Sequence, residues 1–481
     1  MDGLHIDFTP VRAKMEGLDQ VVLPKMVKIR QLYDSSRIED VPTWLEKELE
    51  EKIQEPKCLK GKQICLTAGS RGIPCYAEIM KTLIKWLKKY GACPFIIPAM
   101  GSHAGGVAEG QKEMLATFGI TEEAMGVPIR ASMDTVQAGE LESGIPIYCD
   151  KYAWESDGVI VINKIKPHTS FKGDYESGLM KMMAIGMAKH KGAARIHMEG
   201  YENFARLIPE IGHFCLEHEP IIFGVGIVQN AYDDICNLEV IPKDEIPDRE
   251  KELLQIAKDK LAKFKFGKTD VLIIDEIGKN IGGAGFDPNV VARRDRIYPG
   301  ALVSQNIFVR GLTEETHCNA SGIGTIEVTT LRCVRQIDWA ITWTNMMTAN
   351  FLPGCRIPCF AENDRQALYW AIRTCTGIDY SKAKIVRIKD TMHLFEIEVS
   401  ENLAEKLKQR EDIEILSEPE EIRFGEDGYI QEEITFTWIK TGGEKWQRNK
   451  KRMQSLLRTG QLDKQPIRLK RKKYYRNPEL W

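Results

Sequence analysis

The first candidate for chemistry is His103, which follows the apolar run 93–99. Three glycines flank it in the same loop, Gly101, Gly105 and Gly106. Glycine lets a backbone approach a ligand closely, and a buried structural histidine would not need three of them. We therefore expect His103 to lie in a binding loop at the end of a strand.

A second histidine stands in a similar place. His168 follows Pro167 directly, at the end of the continuously apolar run 158–163, and proline restricts the backbone direction there. Imidazole titrates near neutral pH, so His103 and His168 at neighbouring strand ends suit acid and base roles. His190 lacks such a context and is expected to be an ordinary structural residue.

Arg71 lies in the turn that follows the run 64–67. A guanidinium group can grip a carboxylate or a phosphate with two parallel hydrogen bonds. From composition alone, an arginine on the surface of a turn is an equally good interpretation.

Lys181 is the one basic residue in the apolar stretch 179–188, and His197 follows sixteen residues later. The lysine either extends its amine toward solvent or has a function. One unbroken helix would separate the two side chains by about 24 Å and place them on nearly opposite faces. A break at Gly186 or Gly192 would let both reach one pocket.

The elements around these residues alternate between strands and helices. Runs with strand character cover 64–67, 93–99, 158–163, 221–228 and 271–275, and runs with helical spacing cover 43–54, 76–90, 109–118 and 248–264. This alternation predicts an α/β domain with a mostly parallel sheet, whose ligand sites lie beyond the carboxyl ends of the strands. His103 and His168 both fall at such ends.

After a glycine-rich loop at 282–287, two helices (334–350 and 364–374) and a strand (391–399) predict a second α/β domain. We place the boundary within 265–282. The predicted parts are a catalytic and cofactor-binding domain (1–268), a second α/β domain (269–440) and a basic tail (441–481), with the active site in the interdomain cleft. The tail holds thirteen Lys and Arg between 445 and 476 against one acidic residue. A solvated packing arm is favoured over a nucleic-acid or membrane patch.

The whole chain has 481 residues, a formal charge of -2 and 43% hydrophobic residues. With so small a net charge, the protein has no overall positive electrostatic potential that would attract nucleic acid or anionic lipid, so we expect neither as a partner. The sequence shows no signal peptide and no run of eighteen apolar residues, which predicts a cytoplasmic protein. The twelve cysteines are scattered through predicted core segments, which favours reduced thiols.

Taken in order, these motifs resemble the nickel-pincer lactate racemase family, the 2-hydroxyacid racemases and epimerases. The family pattern is an Arg in the first βα turn, a Gly-x-His loop, a Pro-His, a Ser-Gly-x-x-Lys and a His sixteen residues after that Lys. The matching residues are Arg71, Gly101-Ser-His103, Pro167-His168, Ser177-Gly-Leu-Met-Lys181 and His197.

The resemblance implies an isomerase that uses a nickel-pincer nucleotide. Lys181 would carry this cofactor through a thioamide bond, in a site that includes Ser177 and Gly178. His197 would be the protein ligand of nickel, and one imidazole beside the soft donors of the cofactor suits a square-planar nickel ion. Enzymes that synthesise the cofactor are implied as partners.

The resemblance also implies how substrate is handled. His103 and His168 would be the acid/base pair that inverts C2 of a 2-hydroxy acid, while hydride moves to and from the cofactor. Arg71 would hold the substrate carboxylate. Arg293 and Arg294 stand near the positions where family members contact substrate, which suggests a substrate larger or more anionic than lactate.

Two other functions remain open from the sequence. A hydrolase or lyase could hold a metal ion with His103, His168 and His197, and Lys181 would then be dispensable. A non-catalytic ligand-binding protein is favoured by the bulky Leu179-Met180 pair, which stands where the family has small residues and would crowd the cofactor.

Overall fold

The structure is a computed structural model, and it describes residues 6–11, 13–70, 72–293 and 298–431. The predicted basic tail and the end of the predicted second domain, from residue 432 onward, lie outside the described residues. Arg71 and Arg294 lie outside them as well.

Strands and helices alternate through most of the described chain. The strands are β1 (Met26–Gln31), β2 (Gln63–Ala68), β3 (Cys93–Pro98), β4 (Thr135–Glu140), β5 (Pro146–Asp150), β6 (Gly158–Lys164), β7 (Ile221–Gln229), β8 (Ile235–Pro242), β9 (Lys268–Ile277), β10 (Val303–Leu312), β11 (Val328–Thr330), β12 (Cys359–Ala361), β13 (Ile385–Ile388), β14 (Glu396–Ser400) and β15 (Ile413–Ile415).

The described α-helices lie between these strands. They are α1 (Val41–Lys52), α2 (Tyr76–Lys89), α3 (Ala108–Thr117), α4 (Glu122–Met125), α5 (Lys151–Trp154), α6 (Leu179–Lys181), α7 (Lys189–His197), α8 (Phe204–His218), α9 (Ile246–Lys260), α10 (Leu331–Gln336), α11 (Trp339–Thr348), α12 (Asp364–Arg373) and α13 (Glu401–Leu407). A wider, π-helical segment, Met182–Gly186, joins α6 to the turn before α7.

The first sheet has the order β3-β2-β6-β7-β8 among the described residues. Its first four strands are parallel, and β8 runs antiparallel to β7. This confirms the mostly parallel N-terminal sheet. In β6, Val159 and Val161 face one core cluster and Ile160 and Ile162 face the other. Both faces of the sheet are thus covered, as the continuous apolar run predicts.

The second sheet, over the same described ranges, has the order β12-β11-β10-β9-β13-β14-β1-β15. The strands from β12 to β13 are parallel, and β14, β1 and β15 add antiparallel pairs. The strand β1 comes from the N-terminal part of the chain, before the first strand that the sequence predicts, and it pairs here with β14. The structure is therefore α/β in both sheets, while the division into domains stays a prediction.

Several element predictions beyond the first sheet were wrong. The strands β10 and β13 were missed, although each contains a short buried apolar run, Ile307–Val309 in β10 and Ile385–Val386 in β13. The helix expected over 334–350 is two helices, α10 and α11, because the Asp338 side chain accepts a hydrogen bond from Ile341 N and starts a new helix. The strand expected over 391–399 begins only at Glu396, because Asp390 accepts hydrogen bonds from Met392 N and the His393 ring in a turn.

All twelve cysteines are free. Their predicted place in core segments holds for only five of them, since the buried cysteines are Cys65, Cys149, Cys215, Cys333 and Cys375. Within the described ranges, no helix is long and apolar enough to cross a bilayer.

One buried carboxyl group makes the stability of this fold depend on pH. Glu219 follows α8 and is 3% exposed, and burial raises its pKa from 4.5 to about 7. The folded state therefore keeps a proton that the unfolded chain loses above its ordinary pKa. Stability should fall as pH rises from about 4.5 to 7, by about 3 kcal/mol for this group.

We predict that Glu219→Gln loses this part of the pH dependence, because an amide does not titrate. Urea denaturation of both proteins at pH 5 and pH 8 measures the effect. The wild-type protein should lose more stability between the two pH values than the variant does. Equal losses would contradict the prediction.

Candidate functional site

The carboxyl ends of β2, β3 and β6 lie at one edge of the first sheet and carry Ser70, His103 and His168 in the segments that follow. The sequence suggested that the two histidines follow neighbouring strands. In the structure His103 follows β3 and His168 follows β6, and β2 lies between these two strands. The turn after β2, with Ser70, therefore stands between them. Arg71, expected in this turn, lies outside the described residues.

The loop of His103 is shaped by left-handed glycines. Gly101, Gly105 and Gly106 have φ of 57°, 73° and 63°. A Cβ on Gly101 would lie 3.2 Å from the Ile185 carbonyl oxygen, so glycine allows a close approach. The neighbour that approaches Gly101 in the structure is the segment after Lys181. A Cβ on Gly106 would likewise lie 3.1 Å from the His190 ring, which gives His190 a packing role against this loop.

The His103 ring is exposed, and its Nδ1 lies 2.5 Å from Ser70 Oγ. A hydroxyl group both donates and accepts hydrogen bonds, so Ser70 can pair with either tautomer of the ring. His103 can thus present Nε2 either as a base or as a donor.

His168 is half-buried and held from both its backbone and its ring. Glu176, whose side chain is fully buried, accepts a hydrogen bond from His168 N at 2.6 Å. The Ser170 N–H donates to the ring Nδ1 at 3.0 Å. Because a backbone N–H can only donate, the neutral ring carries its proton on Nε2.

Lys181 and His197 lie on separate helical segments, as the sequence predicted. The helix that contains Lys181 ends after the π-helical segment, and Lys189 then adopts a left-handed φ of 55° before α7 begins. Gly186 fits this bend because a Cβ there would lie 2.8 Å from the Ala99 carbonyl oxygen. The chain therefore turns between the two residues instead of continuing as one helix.

A buried ion pair holds this turn. The Lys189 amine lies 2.6 Å from the Asp150 carboxylate and donates to the Pro98 carbonyl oxygen at 2.5 Å, and both charged side chains are 0% exposed. A left-handed conformation is unfavourable for lysine by about 1–2 kcal/mol, so the contacts must outweigh it. The ion pair fixes the turn to the ends of β3 and β5.

His197 has the electronic state that a metal ligand needs. Its Nδ1 lies 2.6 Å from the Ala193 carbonyl oxygen, which can only accept, so the proton is on Nδ1 and the lone pair is on Nε2. Burial, and then the nearby charge of Lys181, lower the pKa of His197 below its ordinary value. The ring is therefore neutral at physiological pH.

An aromatic cluster connects three of the candidate residues. Phe171 lies 4.4 Å from the His168 ring and 5.2 Å from Phe204, and Phe204 lies 5.2 Å from the His197 ring. The Lys181 amine lies 5.7 Å from the centre of Phe171. His168, Lys181 and His197 thus surround one aromatic surface.

The second half of the chain contacts this site through Asn289. Its Nδ2 donates to the His168 carbonyl oxygen at 3.2 Å, and its Oδ1 accepts from the Lys172 amine at 2.5 Å. Lys172 also bonds to Glu176 at 2.9 Å and lies 4.1 Å from the centre of the Tyr298 ring. The backbone of His168 is therefore fixed by both halves of the chain.

Arg293, expected to bind substrate, is engaged elsewhere. Its guanidinium donates to Glu327 at 2.7 Å and to the Ser304 carbonyl oxygen at 3.2 Å, beside the amino end of β10. Burial lowers its pKa from the ordinary value. Asn289, rather than Arg293, makes the contacts described above with His168. Arg294 is outside the described residues.

Leu179 and Met180 do not crowd the site. Both side chains are 0% exposed, and each fills a space that a glycine leaves open. A Cβ on Gly224 would lie 2.5 Å from Leu179 Cδ1, and one on Gly212 would lie 2.6 Å from Met180 Cε. The bulky pair is therefore accommodated in the core against β7 and α8.

Ser177 and Gly178 precede the Lys181 turn. Ser177 pairs with Lys166 through two backbone hydrogen bonds of 2.8 and 3.1 Å. Gly178 is buried against Glu250, since a Cβ there would lie 2.0 Å from Glu250 Oε1. The structure thus places both beside Lys181 as parts of the turn that carries it.

Sequence reasoning missed Glu176, Glu250 and Lys172. Glu250 had a detectable signal, because it lies on the apolar stripe of α9 with Ile246 and Leu253. A single carboxylate on such a stripe is unusual. The other two lack such a signal, since their roles depend on contacts across the fold.

The three-histidine alternative finds no support. In the part of the chain that the structure describes, no three His, Cys, Asp or Glu side chains are grouped so that they could hold a metal ion. Single-histidine ligation by His197 needs no such group, because the remaining donors would come from a cofactor.

Part of the chain is similar in sequence to a known protein family, and a larger part is similar in structure to known proteins. Residues 36–206 match the family model of the lactate racemase N-terminal domain. No curated protein matches the chain in sequence. The lactate racemase apoprotein from Thermoanaerobacterium thermosaccharolyticum is similar with 16% identity and a TM-score of 0.47, over 76% of this chain and 99% of that chain. A structural-genomics protein from Thermotoga maritima is similar with 15% identity and a TM-score of 0.41, over 66% of this chain and 80% of that chain.

We predict that Lys189→Met destabilises the protein by about 3–5 kcal/mol, because it leaves the Asp150 carboxylate buried without its partner. The exposed Lys191→Met is the matched control and should change stability by less than about 1 kcal/mol, since it loses only a cation–π contact with Tyr148. Urea denaturation measures both. Equal stability of the two variants would show that the ion pair does not hold the turn.

Proposed function

We propose that the protein is a nickel-pincer nucleotide-dependent isomerase that inverts C2 of a 2-hydroxy acid, and the match of residues 36–206 to the family model of the lactate racemase N-terminal domain supports this. The observation that carries this proposal is the turn at Lys189, which allows Lys181 and His197 to meet at one aromatic surface.

The residues present fit the cofactor. Lys181 is half-buried beside Phe171, and an amine there would form the thioamide bond. His197 presents a neutral Nε2 lone pair, which suits a nickel ion whose other donors are soft. When bound, the nickel-pincer nucleotide supplies an acceptor for the hydrogen on C2, and the protein supplies orientation and proton transfer.

In this proposal His103 and His168 transfer the protons. His103 can offer Nε2 as a base, because the Ser70 hydroxyl pairs with Nδ1 in either tautomer. His168 in its neutral form donates from Nε2 toward the C2 oxygen, because Ser170 N–H occupies Nδ1. We assign the first removal of the hydroxyl proton to His103, and to Arg71 the grip on the substrate carboxylate.

The competing functions lack a supporting observation. The non-catalytic interpretation depended on crowding by Leu179 and Met180, and both side chains point into the core. The interpretation as a three-histidine hydrolase or lyase depended on a metal cluster that the described residues do not form. We further propose that the protein works in the cytoplasm with enzymes that synthesise the cofactor.

We predict that Lys181→Ala, made in cells that synthesise the cofactor, lacks both the mass of the attached cofactor and the activity. The reason is that the Lys181 amine would form the thioamide bond to the cofactor. His103→Ala and His168→Ala should keep nickel and the added mass while turnover falls roughly 10²- to 10⁴-fold. His197→Ala should keep the covalent adduct and bind nickel more weakly.

Intact-mass spectrometry, nickel analysis and chiral chromatography of a panel of 2-hydroxy acids measure these effects. The exposed Lys191→Ala is the control for losing a lysine and should match the wild-type protein. A Lys181→Ala variant that keeps its activity and full nickel content would contradict the proposal.

A further inference from the structure

Glu250 is a carboxylate on the buried face of a helix. It lies on α9 and is 1% exposed. Ile246 and Leu253, on the same stripe of the helix, belong to the apolar core. A buried carboxylate is costly unless hydrogen bonds compensate for the lost water, so its partners indicate why the fold retains it.

The partners of Glu250 are backbone groups of the turn that carries Lys181. Its Oε2 accepts a hydrogen bond from Met180 N at 2.8 Å, and the Leu179 N–H also interacts with the carboxylate. These are the first N–H groups of α6, which have no partner within their own helix. A side chain from a different helix therefore caps the start of the Lys181 segment.

Two further contacts fix the same turn. The Gly178 carbonyl oxygen accepts a hydrogen bond from Asn163 Nδ2, at the end of β6, at 2.8 Å. Gly178 also leaves room for the Glu250 carboxylate, which any larger side chain would displace. The residue before the helix is thus tied to β6, and the first residues of the helix are tied to α9.

We propose that Glu250 is a positioning residue for Lys181: it fixes the turn so that the amine lies toward Phe171 and His197. The inference rests on the proposed function in one respect, since it takes Lys181 as the attachment point of the cofactor. Glu250 acts through the backbone and touches no reacting atom.

The choice of variants takes into account that Glu250 can be protonated or ionised near neutral pH. Burial raises its pKa to about 7, against the opposing effect of the Met180 and Leu179 N–H groups. The carboxyl group keeps a carbonyl oxygen in either state, and so does an amide. Glu250→Gln should therefore preserve an acceptor for Met180 N, whereas Glu250→Ala removes it.

Glu219 provides the matched control. It is a second buried carboxyl group whose pKa burial raises to about 7, and the groups that influence it are Cys149, Cys215 and Asp150 rather than the Lys181 turn. Glu219→Ala should destabilise the fold to a similar degree as Glu250→Ala without affecting Lys181.

The experiment compares these variants in cells that synthesise the cofactor. Intact-mass spectrometry should show that Glu250→Ala lowers the fraction of protein with an adduct on Lys181 by about tenfold, a typical cost of losing a group that orients a ligand. Glu250→Gln should recover most of the adduct, and Glu219→Ala should match the wild-type protein. Equal adduct fractions in Glu250→Ala and Glu219→Ala would overturn the positioning role.

A second measurement needs no cofactor. Hydrogen exchange of the cofactor-free proteins should be faster at the amides of Leu179 and Met180 in Glu250→Ala, and unchanged there in Glu219→Ala. Unchanged exchange in Glu250→Ala would overturn the inference by itself. A wild-type protein that acquires no adduct would instead contradict the proposed function, so the two failures are distinguishable.

Discussion

The buried ion pair between Lys189 and Asp150 is the constraint on which the candidate site depends. It anchors a left-handed residue at the point where the chain leaves the Lys181 segment and enters α7. Without this turn, a continuous helix would carry His197 about 24 Å away from Lys181. The carbonyl oxygen of Pro98 adds a third partner, so the turn is joined directly to the end of β3.

The surrounding polar groups work in the same way. Glu176 holds the backbone of His168 and pairs with Lys172 and Lys258, while Glu250 holds the turn before Lys181. Each is a buried carboxyl group that accepts a hydrogen bond from the backbone at or beside a candidate site residue. One oxygen of each carboxyl group accepts a backbone hydrogen bond, and the Oε1 of Glu250 has no hydrogen-bond partner among the described residues. The aromatic cluster around Phe171 then provides an apolar surface between these fixed points.

The parts of the site that follow from local sequence were predictable. The apolar run that forms β6 predicted a strand covered on both faces. The glycines around His103 predicted an unusual backbone, and all three have left-handed φ values. The spacing from Lys181 to His197 required a break, expected at Gly186 or Gly192, and the chain turns between these two glycines, at Lys189. These features depend on periodicity and on the conformational freedom of glycine, which a single segment of sequence contains.

The remaining features depend on contacts between distant segments. No local rule predicts a left-handed lysine, because its stability comes from Asp150 on another strand. The bulky Leu179 and Met180 suggested crowding, because the glycines that accommodate them, Gly224 and Gly212, come later in the chain. The short strand β1 joins the second sheet through partners near the other end of the described chain, so its sequence alone did not identify it.

Our central proposal is that His197 is the one protein ligand of a nickel ion bound beside Lys181. X-ray absorption at the nickel edge of the wild-type protein, purified from cells that synthesise the cofactor, tests it most directly. We predict one imidazole nitrogen among sulfur and carbon donors in a square-planar arrangement. Two or more imidazole ligands, or a nickel shell made only of nitrogen and oxygen donors, would contradict it.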